Sequence, residues 1–273
     1  MKMNANRTIL ALLLFLLLIP ACGPANEAPI PPTPTPVPAA TETPAPTPTV
    51  TLFPTRTPRP TPYPFETVTF TTVDDVTLSG RLFGTGEVAV ILAHQGTPGA
   101  DQDTWLTFAG LLAEDGFTAL TLDFRGVGES GGSLNYANLG MDVEAAAGFL
   151  RERGHTRIAC AGASMGGTAC IRAAQSNDFI GLIILASTMR TGGNPSLTLS
   201  HDELAGLDMP KLFITAENDN HMVINDIRTM YDLSPEPKQL LALPGSRHGT
   251  FLFATDAGPA LTDAMLTFLE GLR

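Results

Sequence analysis

From Thr67 to Leu269 two kinds of apolar pattern alternate, and this alternation restricts the fold more than any other feature of the chain. Val88–Ala93 is a solid apolar run, the pattern of a strand buried on both faces. Trp105 to Asp115 then carries Trp105, Phe108, Leu111 and Leu112 at helical spacing. Further strands are expected at Thr118–Asp123, Arg157–Gly162, Ile180–Ala186, Lys211–Thr215 and Gln239–Leu243. Helices are expected at Met141–Arg153, Met165–Ser176, Val223–Leu233 and Ala257–Leu269. Ahead of these, Thr67–Val73 and Val76–Phe83 flank Asp74-Asp75 and read as an antiparallel hairpin. The whole predicts an α/β fold with a mostly parallel central sheet of about eight strands and helices on both faces. In such sheets reactive groups gather where strands end, at the carboxyl edge.

Upstream the chain is of another kind. Lys2 and Arg7 precede an apolar run, Ile9–Ile19, of signal-peptide length and too short to span a bilayer. The run ends in Ile19-Pro20-Ala21-Cys22, which resembles a bacterial lipobox. Lipidation of Cys22 is therefore expected, with an ordinary secretory signal cut near Ala21 as the alternative. From Cys22 to residue 64 the chain is rich in Pro and Thr, holding 15 of its 23 prolines. Such a stretch buries too little apolar surface to offset its ordering entropy. As an extended linker it would reach on the order of 100 Å. The expected organisation is thus a signal peptide over 1–21, a linker over 22–64 and one catalytic domain over 65–273. The chain would be exported and lipid-anchored on the extracytoplasmic face of a membrane.

Charge narrows the partners. From Phe65 onward the chain carries 25 acidic against 12 basic residues, which argues against nucleic acid and against adhesion to anionic lipid. Membrane attachment would come from the lipid anchor alone. Cys160 and Cys170 lie in apolar segments and read as buried thiols, although export would permit a disulfide. No Cys/His spacing suggests zinc, so neither a metal nor an organic cofactor is expected. Nothing in the sequence specifies an oligomeric state.

Gly-x-Ser-x-Gly occurs twice, at Gly128–Gly132 around Ser130 and at Gly162–Gly166 around Ser164. A nucleophile elbow needs a buried strand before the serine and a helix directly after it. Ser164 has both; Ser130 runs into Gly131-Gly132-Ser133, which is loop chemistry. Ser164 is therefore read as the nucleophile and Ser130 as structural. A serine needs a base, and of five histidines only His248 lies on a polar loop between the last strand and the final helix. An acid between them in sequence, after a strand, is Asp219, with Glu217 as runner-up. Oxyanion donors are expected from the Met165 amide and from Gly96 or Gln95 in the loop after Val88–Ala93.

These pieces resemble an α/β-hydrolase. They are Ala93-His94-Gln95-Gly96, Asp123-Phe124-Arg125-Gly126-Val127-Gly128-Glu129-Ser130, the Ser164 elbow, Asp219 and His248-Gly249. The resemblance covers nearly all of 66–273 and is nearest to serine-aminopeptidase and monoacylglycerol-lipase-like members, or to dienelactone-hydrolase-like esterases. It implies that the Asp123–Ser130 run is structural. Many relatives have His-Gly where this chain has His94-Gln95. The family's lid region corresponds to Ser187–Met209; its shortness, with Met189, Leu197, Leu199 and Leu204, implies an open pocket for small esters. The expected function is hydrolysis of a small-molecule ester through an acyl-enzyme. A peptidase on short peptides and an inactive, lipid-anchored binding module are the alternatives.

Overall fold

The computed structural model describes residues 63–273. The expected signal-peptide core, Cys22 and nearly all of the Pro/Thr-rich stretch lie outside the described residues. The domain is built on an eight-stranded sheet. In chain order its strands are β1 (Glu66–Thr71), β2 (Thr77–Phe83), β3 (Val88–Ala93), β4 (Thr118–Leu122), β5 (Arg157–Ala163), β6 (Gly181–Leu185), β9 (Lys211–Ala216) and β10 (Lys238–Leu243). Two further short strands, β7 (Arg190–Thr191) and β8 (Leu197–Thr198), pair as a separate ribbon. The helices are α1 (Leu106–Glu114), α2 (Leu139–Glu152), α3 (Met165–Ala173), α4 (His201–Ala205), α5 (Ile224–Leu233) and α6 (Gly258–Glu270).

The spatial order of the sheet is β1-β2-β4-β3-β5-β6-β9-β10. β1 pairs antiparallel with β2, and β2 with β4; every other neighbour is parallel. The sequence pattern explains the layering. β3, β4, β6 and β9 are buried at every residue, because helices cover both faces of each. Val143 and Leu150 of α2, Ile171 of α3 and Ile227 of α5 fill one face. Phe108 and Leu112 of α1, with Leu261 and Met265 of α6, fill the other. The expected elements fall within a few residues of those observed, the largest difference being α3, which stops at Ala173 instead of Ser176.

One expectation is corrected. Cys160 on β5 and Cys170 on α3 are joined in a disulfide, with Cα atoms 5.9 Å apart. The sharp reversal between β5 and α3 brings residues ten apart in sequence into bonding range, which the apolar surroundings alone did not suggest.

Candidate active site

The chain leaves β3 through α1 to reach β4, while β5 lies on the other side of β3 and leads into α3 on the opposite face. The loops after β3 and β5 therefore part from each other. That divergence opens a crevice at the carboxyl edge, where open α/β sheets bind ligands.

Ser164 stands at the turn from β5 into α3 with φ 51° and ψ −117°, a region that side-chain-bearing residues rarely adopt. Its backbone is held on both sides: its N–H donates to Leu185 O at 2.8 Å, and its carbonyl accepts from Gly167 N at 3.1 Å. The flanking glycines permit close approach. A Cβ at Gly162 would lie 2.3 Å from the Gly166 carbonyl carbon, and one at Gly166 would lie 2.2 Å from Ala93 O. Met165 is the first residue of α3, so its N–H has no carbonyl one turn earlier to bind. The Ser164 hydroxyl is half-buried and makes no hydrogen bond among the described residues.

His248 follows β10 and Asp219 follows β9, and these strands are parallel neighbours. The pairing continues past the strands, with Glu217 N to Leu243 O, Asn218 N to Gly245 O and Asn220 N to Ser246 O. It sets Asp219 opposite the histidine loop. His248 Nδ1 is 3.0 Å from both Asp219 carboxylate oxygens, and both side chains are buried. An ionised carboxylate only accepts, so Nδ1 donates, and in a neutral imidazole Nε2 is then the atom with the lone pair. The loop also meets the elbow, since a Cβ at Gly249 would lie 3.5 Å from Ala163 Cβ. No hydrogen bond links the Ser164 hydroxyl to the imidazole; such contacts are often long before substrate binds.

The other candidates are dispersed. Glu217 is exposed and points to no partner in the site. His155 sits at the opposite edge beside Glu87 O, and His201 is exposed at the start of α4. His221 is where sequence reasoning fell short. Its ring stacks on His248 with centroids 4.1 Å apart, and its N–H donates to Asp219 Oδ1 at 2.8 Å. The two-residue spacing Asp219-x-His221 was the available signal, because an aspartate readily bonds the backbone two residues on.

The loop after β3 forms the facing wall. Phe124 N–H donates to His94 Nε2 at 3.2 Å, so the proton of this imidazole is on Nδ1, which donates to Gln95 O at 2.8 Å. Burial holds the His94 pKa below the ordinary histidine value, consistent with this neutral form. Gln95 is fully buried, its Nε2 donating to Thr97 Oγ1 at 3.0 Å and its Oε1 accepting from Thr250 N at 2.7 Å. Its side chain is thus committed to protein partners; only its backbone remains for an oxyanion. Gly96 lies against Met165, where an added Cβ would be 2.8 Å from the sulfur. The two loops expected to supply oxyanion donors therefore adjoin.

The second serine motif is structural in detail. Ser130 Oγ donates to Asp123 O at 2.6 Å and accepts from Ser79 N at 2.9 Å. Asp123 accepts from Gln102 N, Gln102 Nε2 and Glu129 N, tying the loops after β3 and β4 together. Arg125 is clamped between Asp74 and Asp142, and its guanidinium holds the Asp74 carboxyl well below the usual range. In the lid region Leu197, Leu199 and Leu204 are buried in the main core and Met189 packs against it, so these side chains cover the core.

Comparison with known proteins agrees with this architecture. Residues 90–269 match the model of the alpha/beta hydrolase family. The uncharacterized protein YfhR of Escherichia coli O157:H7 is 27% identical over 229 residues, spanning 75% of this chain and 80% of YfhR. An esterase from Thermogutta terrifontis superposes with a TM-score of 0.64 at 19% identity, over 76% of this chain and 99% of that one. The Pyrococcus furiosus esterase Pf2001 gives 0.65 at 18% identity, over 80% and 95%. With the family match running over most of the sheet and its helices, the chain belongs to the alpha/beta hydrolase family.

Proposed function

We propose that this protein is a serine hydrolase of small carboxylic esters, working through an acyl-enzyme on Ser164. The observation that carries this is the pairing of a strained, unspent serine hydroxyl with an adjoining loop whose histidine is held by a buried carboxylate. In the proposed reaction His248 Nε2 takes the proton of the Ser164 hydroxyl as Oγ attacks the ester carbonyl. Asp219 keeps the imidazole in the required tautomer and stabilises the cation that forms. The Met165 and Gly96 amides receive the oxyanion; one such donor is worth about 3–4 kcal/mol of transition-state stabilisation. His248 then protonates the leaving alcohol and activates the water that frees Ser164. The family and the esterases that share this fold support the ester reading, although fold alone never fixes chemistry.

The anchoring reading is part of the proposal: export, lipid on Cys22, and an extracytoplasmic catalytic domain. The Cys160–Cys170 disulfide supports it, since such bonds persist in oxidising compartments. Loss of membrane fractionation in Cys22→Ser would test that part.

For the chemistry, the full chain is treated with a fluorophosphonate probe and examined by intact mass, and turnover of p-nitrophenyl acetate and butyrate is compared with that of aminoacyl p-nitroanilides. The expected result is one label, absent in Ser164→Ala, with esters faster than anilides. A folded wild-type protein that takes no label sinks the serine mechanism. Anilides turned over faster than esters would move the assignment to a peptidase.

A further inference from the structure

Gln95 stands in the loop after β3, and its side chain is fully buried. Both polar atoms of its side chain are bonded to neighbours in the site walls. Oε1 accepts from Thr250 N at 2.7 Å and from Thr250 Oγ1 at 3.0 Å, while Nε2 donates to Thr97 Oγ1 at 3.0 Å. The amide orientation is not arbitrary: the Thr250 N–H can only donate, so the atom facing it must be the carbonyl oxygen. Between His248 and Thr250 stands Gly249, with φ +56°. A Cβ there would lie 2.1 Å from Gln95 Oε1. The glycine after the histidine is thus required twice, by its backbone conformation and by the amide reaching past it.

The imidazole of His248 has two points of control. Asp219 fixes the ring through Nδ1. The backbone that carries the ring is held before it by Asn220 N to Ser246 O and after it by the bond from Thr250, two residues on, to Gln95. Gln95 itself is held by His94, whose Nδ1–H donates to its carbonyl and whose Nε2 is pinned by Phe124. Its own backbone and that of Gly96 form the oxyanion wall. One side chain therefore joins the wall that binds developing negative charge to the loop that presents the base.

Resting on the serine-hydrolase reading above, we infer that Gln95 is a positioning residue that sets the distance between the base on the His248 loop and the oxyanion donors of the β3 loop. Its side chain acts through Thr250 and Thr97, the partners it bonds. Losing it would leave the Thr250 N–H buried without a partner and allow the His248 loop to shift. Misplacement of about 1 Å in such a constellation costs on the order of 100-fold in rate.

The test uses the full chain with p-nitrophenyl butyrate. Gln95→Met keeps the volume and removes the bonds; kcat is expected to fall about 10–100-fold with KM changed less than about threefold. Gln95→Glu keeps oxygen acceptors for Thr250 and should recover most of the lost kcat, which a purely space-filling role would not predict. A cooperatively folded Gln95→Met with wild-type kcat, or Gln95→Met and Gln95→Glu equally slowed, overturns the inference. If Gln95→Met does not fold, Gly249→Ala decides. The added methyl must push on Oε1, so Gly249→Ala should be slow and Gln95→Ala combined with it should be faster than Gly249→Ala alone. Additive losses in that pair overturn the inference. Failure of the parent reading looks different, since then Ser164→Ala would keep wild-type turnover whatever happens at Gln95.

Discussion

The two Gly-x-Ser-x-Gly segments share a pattern and almost nothing else. Around Ser164 the serine itself takes the unfavourable φ of 51°, while Gly162 and Gly166 serve to let β5, α3 and β3 approach. Around Ser130 the roles are exchanged. There Gly128 and Gly132 take positive φ, at 53° and 75°, and the serine is an ordinary bridge between Asp123 O and Ser79 N. Among the described residues Ser164 keeps its hydroxyl free of partners; Ser130 spends both its proton and a lone pair on backbone. Strain and an unspent hydroxyl are what the proposed nucleophile requires. A satisfied hydroxyl with glycines relieving the backbone marks a site given over to stability.

The largest effect that could break this contrast is kinetic. Ser164→Ala should lower ester kcat by about 10⁴–10⁶-fold, leaving only what binding and oxyanion stabilisation provide. Ser130→Ala should keep kcat within about threefold. Comparable losses in both, measured on protein of matched folded fraction, would mean that the second segment also belongs to the catalytic machinery. Next in size is the acid. Asp219→Asn should cost about 10³–10⁴-fold, because an amide that presents its N–H to Nδ1 favours the wrong tautomer. Exposed Glu217→Gln should leave kcat unchanged. The reverse ranking would exchange the two carboxylates.

Much of this was legible in the sequence, for reasons that differ by residue. Val88–Ala93 could be bounded to the residue because a strand buried on both faces leaves no polar position to blur its ends. The turn at Ser164 was legible from its strand-before, helix-after context, and the loop position of His248 from the polar run before the last helix. What stayed hidden depended on distance in space. Gln95 and Thr250 are 155 residues apart, and no local pattern announces that a glutamine after one strand reaches a threonine after another. His221 stayed hidden because its stacking on His248 follows from the β9 and β10 loops pairing beyond their strands. The disulfide was missed for the opposite reason. Cys160 and Cys170 are close in sequence, but only the geometry of the elbow brings them together.

The contrast extends to stability. Ser130→Ala leaves the Ser79 N–H without its acceptor and should destabilise the fold by about 1–3 kcal/mol. Ser164→Ala removes a hydroxyl that bonds to nothing described, so its effect on the urea midpoint should be small or slightly favourable. An unfolding series in urea separates the two. Equal midpoints for wild type and Ser130→Ala would remove the structural assignment of the second segment.

The smallest effect concerns the wall between the two segments, where His94 receives Phe124 N–H and supports Gln95. Burial depresses its pKa below the ordinary 6.5. A histidine shifted this way adds stability above its unfolded value, and that stability is lost as pH falls: the unfolded chain takes up a proton that the folded site resists. The window opens near pH 6.5 and extends downward. Carboxylates held low by partners, such as Asp74 beside Arg125, lose their contribution only below the ordinary carboxylate range, near pH 4. Between pH 7.5 and 5.5 the wild-type urea midpoint should therefore fall, and His94→Gln, which can still accept from Phe124 N–H but cannot titrate, should fall less. The comparison of slopes cancels the other histidines, which both proteins share. Identical slopes would mean that folded His94 protonates freely, and the neutral tautomer assigned to it from its two hydrogen bonds would have to be given up.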